Sequence, residues 1–229
     1  MTDEARNILV VAHGRRPDTV GAAARVIGAL RDAGATPVLS SDDRAELDSA
    51  IPGPLATLGA DVAVADIELA IVLGGDGTIL RAAELVREGS APVLGINMGH
   101  VGFLAEIERD DMDEAVRRVI DRDYTVEERL ALQVRIKDRD EQVIYETWAL
   151  NEATVEKASR ERMLEVVIEI DGRPLSSFGC DGIVVSTPTG STAYNFSAGG
   201  PVIWPGVEAI AVVPLSAHAL FAKPLVIAP

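Results

Sequence analysis

The 229-residue sequence is short of cysteine, histidine and positive charge. Its single cysteine, Cys180, excludes an intrachain disulfide and points to a reducing compartment. The three histidines, His13, His100 and His218, show no paired His or Cys spacing, so no metal cluster is expected. Lys and Arg number 21 against 36 Asp and Glu, a formal charge of −15. Such a surface repels a nucleic-acid backbone, and no nucleic-acid partner is expected. A bound nucleotide would need local attraction from backbone N–H groups, a few arginines and a divalent cation. Long apolar runs are missing too. The longest are strand-sized, so no membrane span is expected, and residues 1–7 do not read as a signal peptide. These absences together predict a cytoplasmic protein without a membrane partner.

What is present is core material: 48% of residues are apolar, enough for one large or two modest domains. Residues 8–12 read as a buried strand. A helix follows, with Asp18 as its cap, Val20, Ala24, Ile27 and Leu30 at helical spacing, and Gly34 as its stop. Residues 36–39 form a second strand, and residues 41–66 hold a short helix and a variable loop. Strands over 69–73 and 92–96 and helices ending near Val86 and Ile120 continue the alternation, which predicts a parallel sheet covered on both faces. After Asp123 the texture changes. Alternating Leu130, Leu132, Val134 and Ile136, then runs at 143–150 and 166–170 with a turn at Asp171-Gly172, predict a mostly β domain. The expected organisation is an α/β domain over 1–123 and a β-rich domain over 124–229. Leu225 to Ile227 reads as a final strand, and the layout reads as cut short.

Three segments carry chemistry. Gly74-Gly75-Asp76-Gly77-Thr78 sits between a buried strand and a helix. Glycines there let the backbone approach a phosphate, and the helix N-terminus favours the anion. Asp76 repels a bare phosphate, but it suits a role in orienting a hydroxyl, accepting its proton or holding Mg²⁺. The bland alternative is a tight turn whose Asp caps the helix. Asn151-Glu152 ends a strand and offers donors and acceptors to a ribose diol; a solvated corner is the alternative. The third segment, residues 181–194, runs from a strand into a turn crowded by Ser186, Thr187, Thr189, Ser191 and Thr192, with Tyr194 able to line a pocket. Capping explains one or two of those hydroxyls, not five.

Taken in order, residues 74–78, 151–152 and 187–194 resemble the signature set of NAD kinases, and of actinobacterial members in particular. Residues 95–104, 178–182, 217–220 and 223–226 resemble further family segments, so the likeness spans about residues 8 to 227. It implies phosphoryl transfer from ATP, or from inorganic polyphosphate, to the 2′-hydroxyl of the adenosine ribose of NAD. It implies Asp76 as the base, with Gly75, Asp76, Gly77, Asn151, Glu152, Asp181, Thr192, Ala193, Tyr194 and Ser197 around NAD. Gly74, Gly75, Gly77 and Thr78 would lie against phosphates. Arg15 and Arg81 are candidates to meet donor phosphates, and His218 matches a family histidine. Mg²⁺ or Mn²⁺ would arrive with the donor, and a homodimer or homotetramer is implied. Lys223 stands where the family usually has arginine, which loses a planar fork. The family also continues with further strands, so the chain reads as truncated. Two rivals stay open: a lipid kinase that shares the glycine loop, and a dinucleotide sensor without turnover.

Overall fold

The apolar run at Ile8 becomes the middle of a sheet. In the computed structural model, which describes residues 6–13, 16–99, 102–105, 107–159, 162–218 and 223–229, the chain divides into two units, Met1–Val126 and Glu127–Pro229. The first carries β1 (Asn7–Ala12), β2 (Thr36–Leu39), β3 (Ala56–Thr57), β4 (Ile67–Leu73), β5 (Val93–Asn97) and β6 (Ile107–Glu108). They lie in the order β3-β2-β1-β4-β5-β6, and every pair is parallel. The chain steps outward from β1 in one direction, then returns to start β4 on the other side. The two halves therefore part between β1 and β4, where open parallel sheets place ligands beyond the carboxyl ends of their strands.

Both faces of this sheet are covered, as consecutive apolar positions require. Ile8, Val10 and Ala12 face a core with residues of α1 (Pro17–Asp32) and α4 (Met112–Asp121). Leu9 and Val11 face the opposite core with Ile79, Ala82 and Val86 of α3 (Asp76–Val86). The buried stripe of α1 is Thr19, Ala22, Ala23, Val26, Ile27 and Leu30. Val20 and Ala24 sit at its half-buried edge, one step round from the expected centre. Asp18 does not cap the helix. Arg16 occupies that position without a side-chain bond and Pro17 supplies the first turn, while Asp18 pairs with Arg109 at 3.3 Å. The stop is as expected: Gly34 has φ +78°, its N–H donates to Arg31 O, and Ala35 N–H reaches back to Leu30 O. Within 41–66, α2 (Ser41–Leu47) begins at Ser40, whose hydroxyl accepts from Asp43 N–H at 3.1 Å.

Arg6 ties the sheet to the end of α4. It donates to the carbonyls of Val119 and Ile120 and to both carboxylate oxygens of Glu68. Arg6 holds the Glu68 carboxyl below the ordinary glutamate value, against burial, and Arg122 helps. A carboxyl lowered in the folded state contributes stability above its unfolded value and loses it as pH falls through the folded one. Glu68→Gln is therefore expected to cost about 1.5–3 kcal/mol at neutral pH, with the deficit shrinking in acid below the ordinary glutamate range. Urea melts of both proteins from pH 7 down to pH 3 check this. A deficit that stays constant with pH overturns the assignment.

In the second unit, β7 (Leu132–Lys137) pairs with β8 (Val143–Ala149), and β10 (Leu164–Ile170) with β11 (Arg173–Cys180). The four-stranded sheet contains β9 (Glu152–Glu156), β12 (Gly182–Ser186), β13 (Ile210–Leu215) and β14 (Leu225–Ile227), in the order β14-β13-β12-β9. All these pairings are antiparallel. Asp171 and Gly172 both have positive φ, as a tight turn between β10 and β11 requires. Val184, Ala211 and Val213 bury one face of the sheet with Ile203 and Ala209. Ile183 and Val212 bury the other with Cys180, and the β10–β11 hairpin packs against them through Val166 and Phe178. Cys180 is fully buried, and burial pushes its thiol up. Trp204 is 77% exposed.

Candidate active site

Beyond the ends of β1, β4 and β5 lies a cavity of about 360 Å³. Its lining includes His13, Arg16, Gly74, Gly75, Asp76, Gly77, Thr78, Arg81, Asn97 and Gly99. Gly75 caps α3, so Asp76 is the first residue of that helix. Its carboxylate does more than favour the helix dipole. Oδ2 accepts from Phe103 N–H at 3.2 Å and Oδ1 from Leu104 N–H at 3.1 Å. A β-carbon at Gly102 would lie 2.4 Å from Oδ1, so a larger residue there would displace the carboxylate or the loop 102–104. The likeness at residues 95–104 thus meets the glycine loop in space. Gly74 has no room for a β-carbon beside Thr78, whose Oγ1 would lie 2.5 Å away, whereas Gly75 and Gly77 face open space.

Asp76 is the one carboxylate among the described residues that line this cavity. Among the described residues no three His, Cys, Asp or Glu side chains converge to hold a metal. From the described lining a divalent cation would gain one carboxylate, that of Asp76. Arg81 reaches the cavity from α3, and its Nη2 donates to Asp43 Oδ1 at 2.7 Å. Asp43 was missed by sequence reasoning, because a polar residue in an irregular stretch gives no sign of burial. His13 Nδ1 lies 3.7 Å from Glu46 Oε2. Arg15 lies outside the described residues.

The other expected residues gather in the second unit. Antiparallel pairing sets Glu152, at the start of β9, opposite Ser186 at the end of β12. The turn after β12 then folds onto Asn151. Thr187 N–H donates to Asn151 O at 2.9 Å, and Thr187 Oγ1 donates to Leu150 O at 2.5 Å and to Asn151 O at 3.1 Å. Ser191 Oγ donates to Pro188 O and accepts from Ile203 N–H. The hydroxyl-rich turn is therefore mostly self-satisfied: Ser186, Thr187 and Ser191 are fully buried and spend their hydroxyls on the backbone. Local bonding of this kind thus accounts for three of the five hydroxyls that crowd the turn, where capping was expected to explain one or two. Thr192 and Ala193 remain half-buried, and Tyr194 and Ser197 are exposed.

Asn151 Oδ1, Glu152 Oε2 and Thr189 Oγ1 are buried acceptors without a hydrogen-bond partner among the described residues. Burial pushes the Glu152 carboxyl up, and the N–H of Tyr194 partly opposes it. The Tyr194 phenol is also raised, by burial and by the Glu156 carboxylate with which it interacts. Asp181 lies just before the opposite end of β12, about 17 Å from the Glu152 end at strand rise. It pairs with Lys157, and that contact, with smaller help from Ser216 and His218, holds its carboxyl below the usual range. Lys157 is the second residue that sequence reasoning passed over. His218 N–H donates to Gly179 O at 2.9 Å.

The domain description "ATP-NAD kinase N-terminal domain" matches residues 11–124, and "ATP-NAD kinase C-terminal domain" matches residues 150–229. The chain is 64% identical over 224 residues to an NAD kinase from Leifsonia xyli subsp. xyli, covering 97% of this chain and 73% of that one. It is 55% identical over 231 residues to an NAD kinase from Thermobifida fusca, covering 98% and 71%. Among solved structures it is similar to yeast NADH kinase complexed with NADH, with a TM-score of 0.87 at 26% identity over 99% of this chain and 70% of the yeast chain. It is also similar to an NAD kinase from Archaeoglobus fulgidus in complex with ATP, with a TM-score of 0.70 at 27% identity over 97% and 77%.

Proposed function

Since this chain belongs to the ATP-NAD kinase family, we propose that it transfers the γ-phosphoryl group of ATP to the 2′-hydroxyl of the adenosine ribose of NAD, giving NADP. One observation carries the reading: Asp76 is pinned by two backbone N–H groups in a cavity floored by glycines, at the switch point of a parallel sheet. Phosphoryl transfer asks a protein mainly to position and to neutralise. Gly74, Gly75, Gly77 and Thr78 present backbone and hydroxyl to phosphates, and Arg81 adds charge. Mg²⁺ or Mn²⁺ carried on the donor would neutralise developing charge, with Asp76 the one carboxylate among the described lining residues able to touch it. Asp76 accepts the proton that leaves the 2′-hydroxyl.

In the second unit, Asn151 and Glu152 hold the adenosine ribose. Their unpartnered buried acceptors support this, because vicinal hydroxyls are donors and satisfy atoms that burial otherwise penalises. Thr192, Ala193 and Ser197 shape the adenine side, with Tyr194 and Asp181 toward the nicotinamide half. The family displaces the lipid-kinase alternative. Purified protein with NAD, ATP and Mg²⁺ is expected to form NADP, read by an NADP-specific dehydrogenase, with phosphorus NMR placing the new ester at the 2′ position. Polyphosphate in place of ATP tests the donor. A folded protein that yields no NADP with either donor sinks the reading.

A further inference from the structure

The Arg81 guanidinium could have been left to solvent, since its helix begins at a cavity mouth and the chain has acid to spare. Instead one carboxylate is buried to meet it. Asp43 is 2% exposed, and Nη2 of Arg81 donates to its Oδ1 at 2.7 Å and to Ala12 O at 3.5 Å. Burying an anion is costly, and burial indeed raises the Asp43 carboxyl, with Arg81 the main opposing influence and Ser40 a lesser one. The Ser40 hydroxyl also accepts from the Asp43 N–H, which fixes the first turn of α2 and with it the carboxylate. On the other side, Arg81 is half-exposed and lines the glycine-loop cavity. Among the described residues, its Nε and Nη1 donate to nothing.

We propose that Asp43 is a positioning residue: it anchors one nitrogen of Arg81 so that the rest of the guanidinium fork faces a phosphate in the glycine-loop cavity. This rests on reading that cavity as a phosphate site. A buried partner suits the task. A free arginine loses rotamer freedom when it grips a ligand, whereas one already tethered has lost it on folding. The planar fork also has a geometric consequence. Nη2 carries two N–H groups, so with one spent on Asp43 the other still shares an edge of the plane with Nε or with Nη1, and that pair can meet two oxygens of one phosphate.

The experiment measures binding of inorganic triphosphate with Mg²⁺ by calorimetry to wild type, Asp43→Asn, Arg81→Ala and the double variant. Melting temperatures are recorded, and wild-type NADP formation and the KM for ATP are read in parallel. Asp43→Asn keeps the side-chain shape and removes the anion. It is expected to weaken triphosphate binding about tenfold and to raise the KM for ATP similarly, with kcat within about twofold. Because the two residues act as one unit, the double variant should bind no worse than Arg81→Ala alone. Additive losses, or unchanged binding in Asp43→Asn, overturn the inference even where the wild type makes NADP. Weakened, non-additive binding supports it even where the wild type makes none, and then it is the kinase reading that fails. A wild type that does not bind triphosphate overturns it outright. Should Asp43→Asn not fold, Arg81→Lys carries the test. It keeps a charge for Asp43 but withdraws the fork, so binding should fall about tenfold at unchanged melting temperature, and unchanged binding overturns the inference.

Discussion

Replacing Asp76 with Asn is expected to lower NADP formation by roughly 10²–10⁴-fold, the usual contribution of a positioned general base. A carboxylate offers about four lone-pair sites, and here the N–H groups of Phe103 and Leu104 fill one on each oxygen. One site on each remains to take a hydroxyl proton. The two amide bonds fix the carboxylate's rotation, so the acceptor does not have to be ordered during the reaction. Asn preserves one acceptor and turns the other oxygen into an NH₂ that faces a backbone N–H. The variant therefore loses the base and one tie to the loop 102–104. The two losses read out differently. Loss of the base lowers kcat while the KM for NAD stays within a few-fold, whereas a displaced loop raises KM and lowers the melting temperature. Turnover like that of the wild type would remove Asp76 from the role of base. A loss confined to KM would make it a structural anchor for the loop.

How much of this could be read from the chain differs from residue to residue, for physical reasons. The strands 8–12, 36–39 and 69–73 announce themselves because both faces of a parallel sheet are buried, and continuous apolar runs have few other uses. The edge strands β3 and β6 are two residues each and carry no period to read. The glycine loop was legible because its composition has few explanations. The tie from Asp76 to Phe103 and Leu104 was not, since it runs through backbone N–H groups that every residue owns. The pair Asp43 and Arg81, 38 residues apart, left no local trace. The turn at 187–192 was legible as unusual but not as a scaffold: capping seemed to explain one or two of its hydroxyls, yet Ser186, Thr187 and Ser191 all answer backbone groups of their own unit. Small polar residues at a strand end serve a pocket or a scaffold with the same composition, and only the hydrogen bonds they make separate the two.

That scaffold makes the second large effect. Gly190→Ala is expected to abolish measurable NAD binding and to destabilise the second unit by about 3 kcal/mol or more. A β-carbon at position 190 would overlap the carbonyl of Asn151, which is backbone and cannot rotate aside. The same carbonyl accepts from Thr187 N–H and Oγ1, and Gly190 N–H in turn donates to Thr187 Oγ1 at 3.0 Å. Relief of the overlap by moving the turn breaks those bonds together. Relief by moving Asn151 shifts the two acceptors, Asn151 Oδ1 and Glu152 Oε2, assigned to the ribose. Stability and affinity should thus fall in one step, the first seen as a melting temperature lower by roughly 10 °C or more. Gly77→Ala is the contrasting variant. A β-carbon there meets nothing within 4 Å, so the fold should tolerate it while close approach of a phosphate is lost. A stable Gly190→Ala protein that still binds NAD would refute the packing of the turn on Asn151. A fully active Gly77→Ala protein would mean that no ligand comes near that backbone.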